Sequence, residues 1–80
     1  MDNSVRKEWL TRRTTARAAT RRYPLLKGER AREFWAQMRA GTELWHYKTP
    51  LSMWQLRAGG KGVAIVRGGE VVTHFATLRN

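Results

Sequence analysis

The hydrophobic pattern is densest near the end of the chain, where Val63-Ala64-Ile65-Val66-Arg67 and Glu70-Val71-Val72-Thr73-His74-Phe75 flank Gly68-Gly69. Two apolar runs around two glycines predict a β-hairpin, because glycine accepts the positive φ angles of a two-residue type I′ turn. That register sets Arg67 opposite Glu70 as a cross-strand ion pair. It places Val63, Ile65, Val72 and His74 on one face and Ala64, Val66, Val71, Thr73 and Phe75 on the other. Both faces carry apolar residues, so either helices cover both or one face or edge meets a partner.

Upstream, Glu43-Leu44-Trp45-His46-Tyr47-Lys48 alternates as a strand. Trp45 and Tyr47 share one face, and Leu44, His46 and Lys48 the other. Thr49-Pro50 then offers a hydroxyl N-cap and a proline at the first helical position. A short helix over 50–57 is expected, with Leu51, Trp54 and Leu56 turned inward and Gly59-Gly60 as its stop. Residues 29–40 follow a helical period, with Ala31, Phe34, Trp35 and Met38 on one stripe and Gly41 closing it. Residues 4–22 also admit a helix, with Ser4 as N-cap. Its apolar stripe, Val5 and Trp9, soon meets arginine, so this segment is expected to be weakly helical or partly disordered. The helix ends before Tyr23-Pro24, since proline pushes the preceding residue out of the helical region.

These elements predict an α+β fold. A basic N-terminal arm, 1–24, precedes a small α+β domain, 25–80, containing an amphipathic helix and then strand, short helix and β-hairpin in a three-stranded sheet. From Gly41 onward, Leu44-Trp45, Thr49-Pro50, Trp54, Gly62, Val66-Arg67 with Gly69, and Thr77 with Asn80 form a pattern that resembles a group of small uncharacterised bacterial proteins. The resemblance covers the C-terminal half. It implies a compact α+β unit and no particular activity, and the arginine-rich tract lies outside it.

Charge adds a functional direction. The chain of 80 residues has 16 Lys and Arg against 6 Asp and Glu, a formal charge of +10. Residues 1–40 hold 11 of the basic and 4 of the acidic groups. Five arginines crowd Thr11–Arg22, a tract with no acid and no large apolar side chain. Arginine binds phosphate through paired N–H donors, and several such contacts release counterions. Arg12, Arg13, Arg17, Arg21 and Arg22, supported by Arg6, Lys7 and Lys27, are therefore candidate nucleic-acid contacts, non-specific and to DNA or RNA. A solvated arm that only aids solubility is the plainer alternative. Trp9 and Tyr23 are candidate partner contacts, whereas Trp35, Trp45 and Trp54 lie on stripes that read as core.

Catalytic and metal chemistry finds little support. The chain has no Cys, which removes disulfides, thiolate zinc sites and a Cys nucleophile. His46 and His74, with only Glu43 and Glu70 beyond residue 40, make a poor zinc set. Ser52 lacks a nucleophile-elbow setting. In Gly59-Gly60-Lys61-Gly62, glycine rather than Ser or Thr follows the lysine, and a strand rather than a helix comes next, so the phosphate-loop pattern is not met. No catalytic residue, metal or cofactor is expected. No apolar run is long enough to span a membrane, and no apolar segment follows the basic start as in a secretory signal. A cytoplasmic, non-enzymatic accessory protein that binds nucleic acid is the expectation. The alternative is a protein-interaction module, or a small phage or bacterial regulator, that docks on an acidic protein, with a homodimer through the hairpin edge as a further option.

Overall fold

The computed structural model describes residues 5–79. Four strands, β1 (Leu10–Thr14), β2 (Thr42–Lys48), β3 (Gly60–Arg67) and β4 (Glu70–Arg79), form one antiparallel sheet in the order β1-β2-β3-β4. Three short helices, α1 (Ala16–Arg22), α2 (Arg32–Trp35) and α3 (Leu51–Gln55), complete the α+β architecture with 3-10 turns at Lys7–Trp9, Pro24–Lys27 and Glu29–Ala31. Among the described residues no helix is long and apolar enough to cross a membrane.

The sheet has four strands rather than three because the expected N-terminal helix does not form over 10–14. Leu10 and Arg12-Arg13-Thr14 pair instead with β2, Arg12 opposite His46 and Thr14 opposite Leu44, with Thr11 bulged between them. β-Branched threonines favour the extended backbone, and an edge strand needs only one backbone partner. The helix begins later, where the Thr15 side chain accepts a hydrogen bond from Ala18 N at 3.1 Å, and it ends at Arg22 as the Tyr23-Pro24 step requires. The expected Ser4 cap lies outside the described residues.

Both faces of β2 and β3 are buried. On one face, Leu44, Val63 and Ile65 pack with Ala19 of α1, Phe34 of α2, and Leu26 and Ala31 of the connecting turns; Tyr23, Trp35, Met38 and Phe75 border this cluster. On the back face, Tyr47 and Ala64 pack with Val5, and Trp9, Leu10 and Val71 border them. Each fully buried aliphatic side chain contributes about 1.5–3 kcal/mol. The segment read as an arm thus supplies an edge strand, a core helix and the cover for the back face.

The stripe over 29–40 is present without the continuous helix. Ala31 and Phe34 are buried and Trp35 and Met38 partly so, but the backbone is a 3-10 turn followed by the four residues of α2. The bonds from Gln37 N to Phe34 O and from Met38 N to Trp35 O keep the tighter 3-10 spacing beyond α2. Thr49 does not cap α3. Its buried hydroxyl accepts from Gly60 N at 2.9 Å and donates to Gly60 O at 3.1 Å, which ties the end of β2 to the start of β3. Pro50 stands at the N-cap. Leu51 and Leu56, expected inside, are 72% and 79% exposed, and Met53 and Trp54 are the half-buried residues of this helix.

The hairpin turn forms as expected, with φ of 60° at Gly68 and 82° at Gly69, and with Arg67 opposite Glu70. Those two exposed side chains make no ion pair among the described residues. The face assignment on β4 changes because Val72 bulges out: Val66 pairs with Val71, but Ile65 pairs with Thr73. One extra residue reverses every side chain beyond it. Phe75 therefore joins Val63 and Ile65 in the helix-side core, while His74 turns to the back face opposite Ala64. A second bulge at Thr77 lies beside Gly62, whose backbone is so close to β4 that a Cβ would overlap the Phe75 carbonyl oxygen. Replacing Gly62 by Ala should cost about 1–3 kcal/mol through overpacking, and the urea unfolding midpoint of G62A against the parent chain would show it.

Candidate nucleic-acid interface

Arg12, Arg13, Arg17, Arg21 and Arg22 are all exposed, but the fold distributes them unequally. Successive residues of a strand face opposite sides. Arg12, paired with His46, lies on the helix side of the sheet, and Arg13, paired with Trp45, lies on the back. Arg13 is 3.7 Å from the Glu43 carboxylate, whose other oxygen accepts from Trp45 Nε1 at 2.9 Å. This is the one ion pair among the described residues. It is exposed and therefore weak, yet it draws Arg13 away from the other cations.

On α1, Ala19 faces the core, and Arg17 and Arg21, two residues to either side, project toward solvent. Arg22 closes the helix with its guanidinium 5.5 Å from the centre of the Tyr23 ring. Tyr23 in turn meets the His46 ring edge-on at 6.0 Å. His46 thus lies beneath Tyr23 and close to both Arg12 and Arg22. Its pKa is lowered from the usual 6.5, first by burial and then by the positive charges of Arg12 and Arg22. Arg12, Arg17, Arg21 and Arg22 all lie on the strand–helix unit β1–α1, Arg12 and Arg22 both act on His46, and none of the four has a carboxylate partner among the described residues.

Three other expected contacts lie elsewhere. Arg6 and Lys7 enter the 3-10 turn that covers the back face, where they line a hollow with Glu8, Trp9, Glu70 and Val71. Lys27 ends the turn after α1 and is exposed. Trp9 packs along the back-face cluster, and Tyr23 along the main core, so both candidate partner contacts also carry packing. Trp35, Trp45 and Trp54, expected in the core, are half-buried. Their indole N–H groups donate to Leu26 O, Glu43 Oε1 and Thr49 O at 2.7, 2.9 and 3.1 Å.

The fold adds two lysines that charge density alone did not single out. Lys48 pairs with Lys61 across β2 and β3. Both lie two residues beyond the row Arg12–His46–Val63, on the same side of the sheet. The only sequence signal was the alternation that sets Lys48 on the face of Leu44 and His46.

His74 meets Tyr47 edge-on at 5.7 Å on the back face, and burial followed by the charge of Arg79 lowers its pKa from 6.5. The two histidines thus lie on opposite sides of the sheet, and no three His, Asp or Glu side chains converge among the described residues. No family model, curated protein or solved structure matches this chain.

Both histidines make stability depend on pH with a fixed sign. Each folded pKa is below the unfolded value of 6.5, so the unfolded chain binds more protons as the pH falls through that value. Their stabilising effect is complete above the unfolded value and is lost progressively toward the lower folded values. The urea midpoint should therefore fall as a buffer series descends through 6.5, and H46Q and H74Q should each flatten the profile.

Proposed function

We propose that this chain is a small non-enzymatic accessory protein that binds nucleic acid through phosphate contacts from the β1–α1 surface. The observation that carries this reading is four exposed arginines, Arg12, Arg17, Arg21 and Arg22, held on a strand and a helix without carboxylate partners among the described residues. A surface already ordered loses less conformational freedom on binding than a free arm does. The wider charge balance of 16 basic to 6 acidic residues supports the same partner class. Lys27 extends this surface beyond α1. Arg6 and Arg13 contribute less, because they occupy the other side of the sheet.

Titration of labelled DNA and RNA over a salt series tests the reading. Affinity should fall linearly on logarithmic axes, with a slope near 0.9 per duplex phosphate contacted, as an order-of-magnitude guide. Changing Arg12, Arg17, Arg21 and Arg22 together to Gln should abolish binding, and changing Arg6 and Arg13 should have the smaller effect. Unchanged affinity in the fourfold variant would refute the proposal. In the parent chain, phosphate bound at Arg12 and Arg22 offsets the charges that depress His46, so its NMR pKa should rise in the complex.

A second reading has one observation behind it. The outer edge of β4 has no partner strand among the described residues and carries the exposed Val72 and Leu78. Along the regular stretch between its bulges at Val72 and Thr77, such an edge can receive a strand from an acidic protein or a second copy. Backbone pairing with apolar contact persists in high salt, whereas phosphate binding weakens steeply. Light scattering and pull-down at two ionic strengths therefore separate the readings.

A further inference from the structure

We propose that the cleft between α3 and the end of the sheet receives an unpaired nucleobase of a single-stranded nucleic acid, with a neighbouring phosphate on Lys48 and Lys61. This rests on the nucleic-acid reading above and narrows it from nucleic acid in general to single strands. The cleft has a volume of about 690 Å³, and Leu51, Trp54, Leu78, Lys48 and Lys61 contribute to its lining. Three observations converge there.

The first is aromatic and apolar surface held open. One side of the Trp54 ring rests against Gly59, where an added Cβ would stand 2.5 Å from the indole, and Trp54 Nε1 donates to Thr49 O. The ring is therefore fixed in place and remains only half-buried. Leu51 is 72% exposed and Leu78 47% exposed beside it. A fixed aromatic ring with apolar walls is a stacking platform suited to any base, and stacking of this kind is tolerant of sequence.

The second is the lysine pair. Like charges directly opposite each other on a sheet are destabilising, and neither lysine has an ion pair among the described residues. An anion placed between them would remove that repulsion. The third is continuity. Thr11, next to Arg12 on β1, also lines the cleft, and the strand register places Lys48 and Lys61 on the same side as Arg12. A backbone lying along the arginine surface would reach the cleft without crossing the sheet. Bases in a duplex are stacked and paired, so they have no free face to offer, and an acidic peptide would not use the aromatic platform.

Fluorescence anisotropy with a labelled oligothymidylate and a duplex of equal length tests this, using the full chain. The parent should prefer the single strand. Trp54→Leu should reduce single-strand affinity roughly tenfold while leaving duplex affinity unchanged. Leu51→Gln, an uncharged change at an exposed position, should have the same selective effect if Trp54→Leu fails to fold. Lys48→Gln with Lys61→Gln should lower the salt slope by about 0.7 for each phosphate that the pair neutralises in the parent complex. Equal losses on both nucleic acids, or no loss in any variant, would overturn the cleft assignment while leaving the arginine surface standing. If the parent binds neither nucleic acid, the broader reading fails and this inference fails with it. Selective displacement of the single strand by an acidic peptide would assign the cleft to a protein partner and overturn the proposal.

Discussion

The rest of this fold depends on a central pair of strands that is apolar on both sides. Leu44, Val63 and Ile65 face one way; Tyr47, Ala64 and Val66 face the other, and all six are buried. A sheet of this kind cannot leave either face in water, and 80 residues provide few elements to cover both. The short helices and turns cover one face. The back face is closed by the chain from Val5 to Leu10. That demand recruits the N-terminal segment into the fold despite its composition. Once Val5 and Trp9 are pinned against Tyr47 and Ala64, the next residues run along the open edge of β2, and the arginines there acquire fixed positions.

What could be read from the residues was whatever repeats. Alternation over 43–48 placed Leu44 and His46 on one face and Tyr47 on the other, as the register with β3 and the buried clusters around Leu44 and Tyr47 show. Gly68-Gly69 set the hairpin turn, and the Ala31–Phe34 stripe identified the inward side of a helical segment. What could not be read lacks periodic expression. β1 carries only partly buried residues at its ends and exposed ones between, because an edge strand is held by backbone bonds. The bulge at Val72 leaves no mark in the composition, yet it alone sends His74 to the back face and Phe75 to the core. Thr49 resembles a helix cap until the strand end places Gly60 within reach of its hydroxyl.

The two edge strands share a device. β1 bulges at Thr11 and β4 at Thr77, and each bulged threonine donates its hydroxyl to the neighbouring inner strand, to His46 O at 3.3 Å and to Lys61 O at 3.2 Å. Bulges twist an edge and interrupt its regular row of free backbone groups, which discourages pairing with stray strands. Charged side chains act in the same way. The candidate site was therefore legible as an amount of charge but not as a surface, because the division of cations between the two faces depends on the Thr11 bulge and the β1–β2 register.

The arginines accordingly differ in what can account for them. Arg12 and Arg13 have a structural role open to them as guards of the β1 edge. Arg17 and Arg21 do not, since they lie on a helix and point into solvent. Spaced four apart, they repel, at a cost of about 0.2–0.5 kcal/mol. The seven-residue helix that bears them is too short to persist alone. It is retained by the Thr15 cap, worth about 1 kcal/mol, and by the complete burial of Ala19 beneath the sheet-facing side. Local forces thus hold in place a pair of charges that folding itself does not require. The α1 arginines, more than those on the strand, are consequently the part of the basic surface for which the fold offers no role of its own, and the proposed phosphate contact rests most on them.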